Sequence, residues 1–173
     1  MADKKVVIRE EREGDIVAIY RVNELAFGQP GEAALVDQLR EDGLHALSLV
    51  ALLDGEVVGH ILFSPVEISD EGLVWVSVGL GPMAVLPDHQ RKGIGTLLIQ
   101  RGLKELKKIG FMSVVVLGHP EYYPKFGFVT ASKHGLRCKW EVPDEAWMVC
   151  ELQPGGLAGV SGLVEYAPAF DGV

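Results

Sequence analysis

The stretch that most limits what this chain can become is Gly81–Leu98, GPMAVLPDHQRKGIGTLL. It reads as a strand end (Pro82-Met83-Ala84-Val85), a tight loop (Leu86 to Lys92) and a helix opened by Gly93-Ile94-Gly95-Thr96. The first N–H groups of a helix have no acceptor inside it, and they sit at the positive end of the helix dipole. A phosphate fits there. Glycine at positions 93 and 95 lets the backbone come close to a bulky anion, and Arg91 and Lys92 stand directly before them. Two other phosphate loops are excluded. No G-x-x-x-x-G-K-[ST] run is present, and G-x-G here lacks the third glycine and the ribose-binding acid of a dinucleotide fingerprint.

At 173 residues the chain is long enough for one domain with a sizeable core, and 48% apolar residues argue against disorder. The net charge of −8 repels nucleic acid backbones and anionic membranes, so neither is an expected partner. The MADKKVVIREE start lacks an apolar signal core, and no apolar run reaches membrane-spanning length. A soluble, cytoplasmic protein is the expectation. Cys138 and Cys150 form no C-x-x-C pair and have no metal spacing with histidine, so they read as buried, reduced thiols and no metal is expected.

Along the chain, Val6 to Arg9 reads as a strand, and Asp15 as the N-cap of a helix carrying Ile16, Ile19, Tyr20, Asn23 and Phe27 on one face. A second helix, Glu32 to about Glu41, turns Leu35, Val36 and Leu39 inward. Ser48–Leu53 and Glu56–Phe63 form a hairpin on Asp54-Gly55, with His60 as a packed polar residue. Leu73–Val85 is a long strand, and Gly79-Leu80-Gly81-Pro82 within it predicts a bulge or a close backbone approach. The next helix has an apolar stripe of Ile94, Leu98, Leu106 and Ile109, flanked by Leu97 and Leu103. Lys104, Lys107 and Lys108 form a solvated face, and Gly110 is the cap. Phe111–Leu117 is a buried parallel strand that completes a βαβ unit. Trp147–Leu152 is a further strand, and Gly155–Phe170 reads as a glycine- and proline-containing tail.

Gln90-Arg91-Lys92-Gly93-Ile94-Gly95 resembles the [QR]-x-x-G-x-[GA] acetyl-CoA pyrophosphate loop of the GNAT superfamily of N-acetyltransferases. Tyr123-Pro124-Lys125-Phe126-Gly127-Phe128 is similar to the Y-x-[KR]-x-G-F of the same superfamily, with Pro124 replacing a helical residue, so the helix there should be very short. The segments GGLAGVSGLVEYAPAF, AFG and HILFSPV resemble the YhbS-like branch. The resemblance implies one α/β (α+β) domain over residues 1–173: a central mixed, mostly antiparallel twisted sheet, splayed between two parallel strands and flanked by helices. It implies an acetyl-CoA-dependent acyltransferase that acts on a small-molecule or peptide amine, with a non-catalytic acyl-CoA-binding or sensing domain of the same fold as the alternative; a homodimer stays open. Met83, Ala84 and Val85 would pair with the pantetheine arm. Gln90, Arg91, Lys92, Gly93, Ile94, Gly95 and Thr96 would hold the pyrophosphate. Tyr123 aligns with the general acid; Tyr122 is as good by type, and only the spacing to Gly127 separates them. A phenol of pKa about 10 can protonate a departing thiolate near neutral pH. His119, at the end of a parallel strand, reads equally as a proton relay or a structural loop residue. Glu24 and Glu32 read as acceptor contacts or solvated helix carboxylates. A covalent cysteine mechanism is disfavoured, because neither cysteine lies in a matching motif.

Overall fold

Asp54 and Gly55 both adopt positive φ, 53° and 79°, and this reverses the chain in two residues. That turn joins the strands Leu47–Leu53 and Glu56–Asp70 in the computed structural model, which describes residues 5–172. The elements in order are β1 (Val6–Glu10), α1 (Ile16–Phe27), α2 (Gly31–Glu41), β2 (Leu47–Leu53), β3 (Glu56–Asp70), β4 (Leu73–Val85), α3 (Ile94–Ile109), β5 (Ser113–Leu117), β6 (Val129–Thr130), β7 (Leu136–Cys138), β8 (Trp147–Glu151) and β9 (Gly162–Glu165). Among the described residues, no helix is long and apolar enough to cross a membrane. The residues pack as two units, with β3, β4 and α3 contributing to both.

The first unit is built from the residues up to Phe63, from Gly81–Gly102 and from Pro168 onward. β1 runs antiparallel to β2, from Val6 opposite Leu53 to Glu10 opposite Leu49, and β2 runs antiparallel to β3. Successive residues of a strand face opposite sides, so Gly59, Ile61 and Phe63 share one face and Val58, His60 and Leu62 the other. α3 lies on the Gly59 face. A Cβ on Gly59 would stand 3.2 Å from Ile94 and 3.3 Å from Leu98, and one on Gly102 only 2.5 Å from the Phe63 ring. α1 lies on the opposite face, where the Asn23 amide donates to His60 Nδ1 at 3.2 Å. With both faces covered, the β2 and β3 runs are apolar without alternation.

The second unit comprises Ser64–Leu80 and Leu103–Ala167. β4 and β5 are parallel through Val78–Val114 and Gly79–Val115. β8 is antiparallel to β5, from Ser113 opposite Glu151 to Leu117 opposite Trp147, and β6 pairs with the other side of β8. β9 pairs antiparallel with Glu67–Ser69 of β3 and parallel with β7. Residues 155–170 are therefore not a plain tail. Their Gly162–Glu165 segment fills a sheet position, and Gly162 takes φ 126° against the Ser69 carbonyl, where a Cβ would come within 2.1 Å.

Other expectations shift by small rotations. Asp15 does precede α1, but its carboxylate accepts from the Arg12 amide at 2.7 Å and from Arg9, closing the preceding 3₁₀ turn instead of capping the helix. The inward face of α1 is Ile19, Val22 and Asn23, with Phe27 exposed. On α3 the buried positions are Ile94, Leu98, Ile99, Gly102 and Leu106, whereas Leu97 and Ile109 face solvent. An apolar count misses Gly102, because there it is the missing side chain that packs. β5 starts at Ser113, since the amides of Gly110 and Phe111 both bond the Leu106 carbonyl as a helix cap.

His60 is fully buried in a directed polar chain. Ser48 gives its hydroxyl proton to the Glu11 carboxylate, which can only accept, so its oxygen receives His60 Nε2–H at 2.9 Å. That leaves Nδ1 bare for the Asn23 amide, whose second proton goes to the Ile19 carbonyl at 3.0 Å. Arg40 pairs with Glu11 at 2.8 Å and with Asp37 at 2.9 Å. Burial lowers the His60 imidazole to about 4, outweighing the opposing pull of Glu11, so the folded protein holds it neutral. Its neutral-state stability is complete above the unfolded value near 6.5 and is lost as pH falls towards 4, amounting to about 3 kcal/mol at most. Glu11 and Asp15 are both held below their ordinary values and add losses at still lower pH. Urea unfolding followed between pH 7 and 4 should show this decline, and a His60→Gln variant should flatten its upper part.

Candidate active site

In the first unit, the loop after β4 is held at both ends. The Leu86 amide donates to the Val58 carbonyl at 2.8 Å, and a 3₁₀ turn covers Pro87–His89. The Gln90 side-chain amide then turns back to the Val85 carbonyl at 2.9 Å. Gln90 thus closes the loop on the strand end, and its side chain acts by positioning. Beyond it Arg91 and Gly93 have φ of 61° and 85°, two left-handed residues on either side of Lys92 in a backbone turn of the kind that can present amides to an anion. Gly93 is required by this φ, because the space where its Cβ would stand is open. The first α3 hydrogen bond runs from Leu97 to the Gly93 carbonyl at 3.1 Å, so the amides of Gly93, Ile94 and Gly95 lie ahead of it. Arg91 and Lys92 are exposed, and the Ile94 side chain is buried, so Ile94 can contribute only backbone here. These features fit a diphosphate. Met83 and Val85 are half-buried and Ala84 is buried.

In the second unit, β5 ends at Leu117 and the chain turns through Gly118 and His119. The amides of Tyr122 and Tyr123 bond the His119 carbonyl at 3.0 and 3.3 Å. A single 3₁₀ turn, Tyr123–Phe126, follows with Pro124 near its start, the very short helix that proline predicts. Gly127, at φ 98°, ends it. The Tyr123 ring lies over Gly118, where a Cβ would stand 2.3 Å from ring carbon Cε2, and it meets Tyr122 and Phe128 edge-to-face at 5.2 and 5.6 Å. Tyr123 is buried, whereas Tyr122 is half-buried and carries the Lys125 ammonium 4.1 Å from its ring centre. Burial, helped slightly by Tyr122, pushes the Tyr123 phenol up to about 12. His119 is exposed.

A scan of protein families matches residues 15–128 to the acetyltransferase (GNAT) family. The N-acetyltransferase YhbS of Escherichia coli strain K12 is 41% identical over 167 residues, 96% of this chain and 99% of YhbS. The chain belongs to the GNAT acetyltransferase family. The crystal structure of E. coli YhbS in complex with CoA superposes with a TM-score of 0.93 at 38% identity, covering 99% of this chain and 94% of that one. A GNAT acetyltransferase from Brucella melitensis in complex with acetyl-CoA gives 0.79 at 36% identity, with coverages of 97% and 99%. The fold is the GNAT fold, the kinship is with YhbS, and the protein is an acetyl-CoA-dependent N-acetyltransferase of this family.

Two positioning residues escaped the sequence reading. Val58 anchors the loop through its carbonyl, which no side-chain pattern reveals. Gly118 makes room for the Tyr123 ring, and its only sequence signal is a glycine directly after a strand. Glu24 is exposed, and Glu32 accepts the Gln29 amide at 2.8 Å. Cys150 is buried but Cys138 only half-buried, a partial departure from the expectation for both. Gly118→Ala should displace the Tyr123 ring and cost about 1–3 kcal/mol, the usual penalty of overpacking, read as a lower urea midpoint at unchanged m-value.

Proposed function

We propose that the protein transfers an acetyl group from acetyl-CoA to a primary amine by direct attack, with Tyr123 as general acid, acting as one domain over residues 1–173 in the cytoplasm. The observation that carries this is the buried tyrosine at the end of β5, seated on Gly118 in the turn that Pro124 and Gly127 shape. Acetyl-CoA supplies a thioester carbonyl open to a neutral amine and a thiol as the leaving group. The backbone of Met83, Ala84 and Val85 aligns the acyl arm. The amides of Gly93, Ile94, Gly95 and Thr96 hold the diphosphate with Arg91 and Lys92, and Gln90 keeps that turn in shape.

Burial keeps the Tyr123 phenol protonated throughout the working pH range, so its proton is present when the sulfur takes up charge. His119, exposed on the same turn, passes the proton of the amine to solvent. Direct transfer is supported by the cysteines as well: burial raises both thiols, which makes each a poor nucleophile at neutral pH.

Tyr123→Phe should lower kcat by about 10²–10⁴-fold while leaving the calorimetric affinity for CoA unchanged. Wild-type turnover in that variant would remove the tyrosine from the role. Because the phenol titrates near 12, the kcat/KM profile of the wild type should show no falling limb from Tyr123 up to pH 10.

A further inference from the structure

The transfer chemistry above leaves two residues of the tyrosine turn without a task, Tyr122 and Lys125. Their spacing brings them together. In a 3₁₀ turn, side chains three residues apart eclipse one another, and Tyr122 stands three residues before Lys125 at the head of the Tyr123–Phe126 turn. The Lys125 ammonium lies 4.1 Å from the centre of the Tyr122 ring and 5.3 Å from that of Phe126. The Tyr122 and Phe126 rings meet edge-to-face at 5.3 Å. An ammonium over the face of a tyrosine is drawn to it by the ring quadrupole, an attraction that packing of neutral groups lacks.

Tyr122 is in turn a wall of Tyr123. The Tyr123 ring rests on bare Gly118 and lies between two other rings, Phe128 at 5.6 Å and Tyr122 at 5.2 Å. Phe128 is buried and Tyr122 only half-buried, so Tyr122 is the ring of the two that also meets water. The interplanar angles are 75° and 81°, the edge-to-face arrangement that aromatic quadrupoles favour. Exposed side chains change rotamer within nanoseconds, so a wall that is half in water needs an anchor of its own. Phe126 and the exposed Lys125 supply it.

We propose that Tyr122 is a positioning residue for the transfer reaction, clamped by the Lys125 ammonium so that its ring closes the solvent side of Tyr123 and holds the phenol on Gly118. Both residues act through Tyr123, and neither gives up a proton. The inference rests on the reading of Tyr123 as general acid. The wall also sets how dry the phenol is. Burial first, and Tyr122 second, raise it. His119, Glu121 and Lys125, the other titratable side chains of this turn, are all exposed. Loss of the Tyr122 ring admits water, and the phenol falls from about 12 towards its ordinary value near 10.

The test uses the full chain with ring-labelled tyrosine, titrated by NMR, the Tyr123 signal being the one lost in Tyr123→Phe. Turnover is read as thiol release from acetyl-CoA, with spermidine and a short alanyl peptide as acceptors. Tyr122→Ala should bring the phenol titration down towards pH 10 and lower kcat about tenfold, with the KM for acetyl-CoA unchanged. Lys125→Met, an exposed change that keeps the test open should Tyr122→Ala fold poorly, should lower kcat about threefold. Tyr122→Phe and Lys125→Arg should restore both readouts. Tyr122→Ala added to Tyr123→Phe should cost nothing more, because the ring acts only through the phenol. The inference is overturned if Tyr122→Ala leaves the phenol and kcat unchanged, if it costs as much in the Tyr123→Phe background, or if Lys125→Met matches the wild type. A slow Tyr123→Phe beside an unaffected Tyr122→Ala removes the clamp and keeps the acid, whereas Tyr123→Phe at the wild-type rate removes the acid reading itself.

Discussion

How closely α3 can lie on β3 governs the first packing unit. Two bare α-carbons set that distance: Gly59 under Ile94 and Leu98, and Gly102 against the Phe63 ring. A side chain at either position would lift the helix, and the first turn of α3 would move with it. The amides at positions 93–95 are useful to an anion only if they stay where the loop delivers them. The Leu86–Val58 hydrogen bond holds the loop to the same strand that carries Gly59. Helix packing and the turn before α3 are thus one constraint, and a shift of about 1 Å far from the chemistry can cost an enzyme on the order of 10²-fold in rate.

The second unit uses rings over glycines in the same way. Tyr123 lies over Gly118 and Tyr166 over Gly79, and each ring is thereby kept out of water. For Tyr123 the consequence is chemical: desolvation, aided by Tyr122, raises the phenol. For His60 desolvation also prevails, because the attraction of Glu11 reaches it across Ser48 while Arg40 works the other way. For Glu11 itself the order is reversed. Burial is the largest single influence, but the hydrogen bonds from Arg40 and Ser48 together with the charge of Arg40 outweigh it, so the carboxylate is held below its ordinary value. Burial by itself does not set the charge state; the number of donors within reach does.

Much of the fold was legible in the residues. The Asp54-Gly55 turn, the Leu73–Val85 strand, the Gly110 cap and the loop before α3 each rest on local chemistry that tertiary contacts do not alter. The C-terminal region was the least legible. β6, β7 and β9 are two to four residues long, and strands so short have too few positions to show alternation. The turn of α3 about its own axis was also missed, because an apolar count is blind to a glycine that packs. Of the candidate site, the loop before α3 and the short turn carrying Tyr123 were legible by type and spacing. The platform under the ring was not, since it depends on which strand lies beside which.

The amino-acid order alone determined where the chain turns, where the loop before α3 places its glycines and which tyrosine has the spacing of the family motif, because those properties belong to runs of a few residues. The tertiary structure decided the rest: that the phenol is buried and stays protonated, that His60 is neutral, and that Gln90 braces the loop. Solvation and proximity between distant parts of the chain do not exist until the strands have paired, so no local pattern can encode them.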